Sequence, residues 1–245
     1  MSSSSTVATN TGISVDLIGK SGKFRYKLGA EATSPWVSVE LDRIREVDAT
    51  GKTVTAIQNI ASTQDVSWNI KQSTTELGTI AAKVSYVTNF KVNGYAPQLA
   101  VDVYLFLAAG NYNDLGETKA AEVGDMKLGF SVTGWPFANV ATNKLVVGFR
   151  IKSQNDADVP KANDSGIFEH TIGSVKVVSS NRTSLDKTVV TEKVAISVAQ
   201  DVIEYTFPAF VTQMEYDPVF KATKERPSIL PLVGALVLGY LMFGT

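Results

Sequence analysis

The sequence predicts an all-β protein: an antiparallel two-sheet β-sandwich, elaborated from many short strands, followed by a C-terminal apolar helix. Three observations carry this expectation. Apolar residues recur at every second position in one segment after another, the period of a half-buried strand. Gly, Asn and Asp punctuate those segments as turns. The stretch 229–245 carries no charge at all. One open sheet of this size would leave its apolar face in water, so two sheets packed face to face are expected.

In chain order, residues 1–12 ("MSSSSTVATNTG") are rich in Ser and Thr and lack the basic and apolar stretches of a signal peptide. They read as a flexible arm. The sandwich is expected over residues 13–218. Ile13, Val15 and Leu17 share one parity, and Phe24, Tyr26 and Leu28 do the same after the "GKSGK" turn. Val37, Val39 and Leu41 follow Pro35, and "DATGK" reads as the next turn. Val66, Trp68 and Ile70 alternate with Ser67 and Asn69. The cleanest alternations are Leu99 to Leu107, Met126 to Val132 and Leu145 to Ile151; Val194, Ile196 and Val198 then precede Ile203, Tyr205 and Phe207. In the Met126 strand, Lys127, Ser131 and Thr133 take the opposite, solvent face, so truncating Lys127 is expected to matter little.

The stretch "SQNDADVPKANDSG", residues 153–166, is expected to be a long loop within one sandwich. The strand-like sequence after it, about fifty residues, is short for an independent domain without disulfides. Residues 219–228 read as a polar, basic spacer with Lys221, Lys224 and Arg226. The hydrophobic segment 229–245 follows, its apolar side chains being Ile229, Leu230, Leu232, Val233, Leu236, Val237, Leu238, Leu241, Met242 and Phe243. As a helix it would span about 25 Å, the short end for a bilayer. Pro231 falls in its first turn, where proline is tolerated. An apolar surface of that size invites association, so lipid or protein is expected to cover it. The expected location is therefore membrane-associated, through a single C-terminal anchor. Tail anchor, GPI-type signal and assembly helix all stay open, as does the side of the membrane. The basic flank fits a cytoplasmic tail anchor, and "YDPVF" supplies few small residues for a GPI cleavage site.

Composition narrows the chemistry. The formal net charge of the 245 residues is −1, with 44% hydrophobic and 19% charged residues. No basic stripe of the kind that gathers nucleic acid is visible. There is no cysteine, which excludes thiol catalysis, disulfides and cysteine metal sites. The one histidine, His170, lacks a G-x-S-x-G partner motif and reads as a strand-edge or loop residue. P-loop, dinucleotide and H-E-x-x-H motifs are absent.

The candidate sites are few. In "SVTGWPFANV", strict alternation would put Trp135 on the polar side of its strand, free for a ligand. A bulge at Gly134 would return it to the apolar side as a plug closing the core, and Pro136 would then end the ladder. The plug is the favoured reading. Trp68 shares the parity of Val66 and Ile70 and reads as core, whereas Trp36 and Tyr112 are the first choices for a sugar-stacking surface. Asp156, Asp158 and Asp164 offer hard oxygen ligands for a structural calcium, without EF-hand spacing. No other cofactor is expected. Asn163-Asp164-Ser165 and Asn181-Arg182-Thr183 are glycosylation sequons, relevant only in a secretory pathway.

Together these readings favour a non-enzymatic structural or surface protein, attached to a membrane or a larger assembly through residues 229–245, with a protein partner or further copies of itself. A carbohydrate- or ligand-binding module is the second reading. A glycosidase-type enzyme is the third, and it requires two carboxylates facing across a cleft.

Overall fold

The computed structural model describes residues 5–153, 161–162, 168–191, 193–199 and 201–223. Period-two patterning becomes strand almost throughout. The first run supplies β1 (Ser5–Ala8), β2 (Ile13–Ile18), β3 (Lys23–Leu28), β4 (Trp36–Val47), β5 (Thr53–Gln58) and the single turn α1 (Ile60–Thr63). Next come β6 (Asn69–Thr74), β7 (Ala81–Asn89), β8 (Gln98–Phe106), β9 (Gly110–Asp114), β10 (Glu117–Ala121), β11 (Met126–Thr133) and β12 (Lys144–Ser153). The last run holds β13 (Lys161–Ala162), β14 (Phe168–Ile172), β15 (Val175–Ser179), β16 (Thr183–Leu185) and β17 (Thr188–Val190). It closes with β18 (Ala195–Ala199), β19 (Val202–Pro208), β20 (Gln213–Tyr216) and β21 (Val219–Ala222).

Two large antiparallel sheets result. The first runs β1-β2-β3-β4-β12-β19-β18, with β5 beside the second half of β4. In the second, β11 pairs with β8 on one side and with both β20 and β21 on the other. Strands β7 and β6 extend it beyond β8, β15, β14 and β13 beyond β21, and β16 and β17 beyond β20. Strands after the 153–166 stretch thus return to both sheets.

The inner faces meet over one continuous core. At its centre the Phe130 ring, from the second sheet, lies 5.0 Å from Phe149 and 5.9 Å from Tyr205 of the first. Tilted and edge-on aromatic pairs of this kind add to the burial energy of the rings. Trp68 packs edge-on against Tyr86 at 5.0 Å, and its ring N–H donates to the Gly19 carbonyl at 3.0 Å.

One irregularity redirects a functional group. Opposite Gly148 and Phe149 the β4 register skips a residue, so Arg43 and Leu41 are the partners and Asp42 is extra. Such a bulge shifts parity. Val37, Val39 and Leu41 point inward before it, and Ile44 and Glu46 after it, all buried.

Both sandwich boundaries differ from the expectation. Ser5–Ala8, within the arm read as flexible, pairs with β2 in the register Val7↔Val15, and Val7 is buried. A lone inward valine among Ser and Thr carries no visible periodicity, yet it suffices for an edge strand. Val219–Ala222, read as the start of a spacer, lies between β11 and β15, with Phe220 buried in the core. Four residues with two lysines nearby conceal that alternation. The candidate calcium ligands Asp156, Asp158 and Asp164, and the whole segment 229–245, lie outside the described residues. No helix among the described residues is long and apolar enough to cross a membrane.

Candidate functional site

Trp135 is buried, 4% exposed, and belongs to the core between the sheets. Gly134 has φ +67°, a left-handed conformation that glycine adopts without strain. That turn moves Trp135 to the apolar side. Its indole N–H points at the Glu46 carboxylate, 3.4 Å away, which also accepts from the Ala138 N–H at 2.9 Å and from the Asn143 amide. Glu46 itself is fully buried, so these donors replace the water it lost. The result is a latch: bulged β4 supplies the acceptor, and the loop after β11 closes the end of the core over it. Trp135 is therefore not on display for a ligand.

The other two aromatic candidates do not join it in a row. Trp36 begins β4, at the opposite end of that strand from Glu46, and is partly exposed with the Arg25 guanidinium 4.6 Å above its ring. Tyr112 is 3% exposed and packs against Phe106 at 5.0 Å. It belongs to a separate small core beneath the β9–β10 hairpin, with Ala81, Tyr104, Ala121 and Val219. Its ring face is spent on protein, which corrects its assignment as a stacking platform. His170 sits within β14 and is buried.

That hairpin encloses a charged interior. Leu115 and Gly116 both have positive φ, and the tight turn folds β9 and β10 onto the outer face of the second sheet. Lys127 does face away from the sandwich core, but the hairpin roofs it, leaving it 5% exposed. Its ammonium lies 2.9 Å from Asp217 and 3.6 Å from Asp114. Asp114 also pairs with Lys119, and Lys221 lies 3.6 Å from the buried Asp125. Burial pushes the Asp217 carboxyl up; Lys127 pulls it down, and the neighbouring Asp114 pushes it up again. Burial likewise pushes up the Tyr112 hydroxyl, with Asp114, Asp217 and Asp125 adding to the effect.

Two clefts flank this cluster and share Asp217. One, of about 490 Å³, lies between the hairpin and the residues joining β15 to β16; Tyr112, Lys119, Ala120, Asn181, Arg182 and Asp217 are among its walls. The other, of about 210 Å³, opens beside Asp102, Tyr104, Lys127 and Glu215. Asn181 of the second sequon thus borders the larger cleft. Thr183 of the same sequon is buried and donates to the Glu215 carbonyl at 2.6 Å.

The outer face of the first sheet is also ion-paired. Glu204 receives Arg43 at 3.3 Å and Arg45 at 2.8 Å, while Arg150 spans Glu40, Asp42 and Asp201. Among the described residues no group of three or more His, Asp or Glu is disposed to hold a metal ion.

Sequence reading missed this cluster because it forms only when the hairpin of Asp114 and Lys119 folds over Lys127 and meets the remote Asp217 and Lys221. "NYNDLGE" could have signalled the hairpin, since Asp-Leu-Gly-Glu is a turn between alternating residues. Nothing in the sequence says which sheet face a hairpin will cover.

A two-sheet antiparallel protein with a latched core and ion-paired outer faces is what the described residues define. Residues 30–148, just under half of the chain, match the model of a family described as acidic skeletal organic matrix protein. The matched stretch runs through β4 to β11 and into β12, and so through the middle of both sheets. No curated protein matches the chain. The composition departs from the acidity in that description: 24 Asp and Glu face 23 Lys and Arg.

Proposed function

We propose that this chain is a non-enzymatic structural protein of an organic matrix, a β-sandwich held to a lipid surface or to other copies of itself through residues 229–245. The observation that carries the reading is the match of residues 30–148 to a skeletal matrix protein family. A glycosidase would need one carboxylate as acid and another facing it across open space; in the pair Asp114 and Asp217 the two carboxylates share Lys127 instead. With a nearly neutral chain, the matrix role rests on association of folded units rather than on an acidic surface gathering mineral ions.

Attachment is tested by carbonate extraction of cells expressing the full chain or a chain ending at Ser228. The full chain is expected to stay in the pellet and the shorter one to be released. Release of both would overturn attachment to lipid through 229–245, and a full chain that is also monomeric after release would overturn self-association through it. A hydrolytic activity lost on Asp217→Asn would overturn the non-enzymatic reading.

A further inference from the structure

We propose that the cleft between the β9–β10 hairpin and residues 180–182 is a binding site for a neutral saccharide. The inference is independent of the structural role above and rests on the balance of the walls. Each cation of the cleft walls already has an acidic partner, Lys119 with Asp114, Lys221 with Asp125 and Arg182 with Glu117, and the wall carboxylate of Asp217 is paired with Lys127 behind it. A phosphate or sulfate would find no uncompensated positive charge here, and a metal ion no uncompensated carboxylate. A ligand rich in hydroxyls meets no such conflict, because each hydroxyl both donates to a carboxylate and accepts from an ammonium or guanidinium.

The remaining walls fit the same ligand. Ala120, Val178 and Val219 give the cleft an apolar strip beside its polar groups, as the C–H face of a sugar ring requires. Asn181 adds an amide with both donor and acceptor at the cleft wall. The Arg182 guanidinium is held in the cleft wall by Glu117 and the Leu115 carbonyl. At about 490 Å³ the cleft falls within the size range of small-molecule sites.

The test is calorimetric titration of the full chain, in a detergent without a sugar headgroup, with glucose, galactose, N-acetylglucosamine and their β-linked dimers. Saturable binding of at least one is expected. Ala120→Trp, at an exposed cleft position, should abolish it with the thermal transition unchanged. Asn181→Ala should weaken it about tenfold, the loss of one or two hydrogen bonds. Failure of all these saccharides to bind would overturn the proposal, as would binding that persists in both variants. Saturable binding of calcium chloride or inorganic phosphate that Ala120→Trp removes would overturn it as well, since it would show an ion site.

Discussion

Lys127 and Phe130 are three residues apart on β11 and face opposite ways, yet both are buried, one in charge and one in hydrocarbon. Phe130→Ala should cost about 3–5 kcal/mol, because the ring is ringed by Phe149, Tyr205, Phe207 and Tyr216 and leaves a cavity. Lys127→Ala should cost about as much, about 3–5 kcal/mol, since it strands Asp217 and Asp114 without their shared cation. Chemical denaturation of the two variants measures both; a negligible effect at Lys127 would mean that the hairpin does not seal the pair. Asp217 adds a pH dependence of definite sign. Its folded carboxyl titrates above its ordinary value of 3.8, so the folded state binds more protons than the unfolded state just above that value. Its contribution to stability therefore grows as the pH falls from neutrality toward about 4, where both states become protonated. Asp217→Asn should remove that gain from the pH profile of thermal unfolding, and an unaltered profile would contradict the shift.

At the scale of elements, β21 is the strand on which the domain boundary turns. It pairs with β11 on one side and β15 on the other. A chain ending at Pro218 lacks it and should fail to fold cooperatively, whereas one ending at Ser228 keeps it and should show a sharp thermal transition. Equal transitions in circular dichroism would place β21 outside the cooperative unit. The strands legible in the sequence, β8, β11 and β12 above all, are those whose two faces meet unlike surroundings, so that hydrophobicity alternates. Strands β1 and β21 are short and flanked by Ser, Thr or Lys, and their alternation is only one residue deep. In β4 the alternation of Val37, Val39 and Leu41 was plain, but the bulge that turns Glu46 inward leaves no mark in composition. Trp135 was legible for a related reason: glycine before a bulky residue at a strand end permits one left-handed turn, and the latch to Glu46 fixes it. The charged cluster beneath β9–β10 was not legible. It is tertiary, built where Asp114 of β9, Lys127 of β11 and Asp217 of the turn between β20 and β21 meet.

Across the whole molecule, the matched span and the charge balance bear on one question, whether this sandwich works alone or as a unit of something larger. Ion pairs cover the outer face of the first sheet, and the formal net charge is −1, so little electrostatic repulsion opposes the approach of copies. The proposed role assigns the attraction to the apolar segment 229–245. Sedimentation velocity of the purified full chain in plain buffer, with and without lipid vesicles, tests this most directly, beside the chain ending at Ser228. The full chain is predicted to sediment as oligomers or to move with the vesicles, and the shorter chain as a folded monomer in both conditions. A full chain that stays a monodisperse monomer and ignores the vesicles would contradict the account.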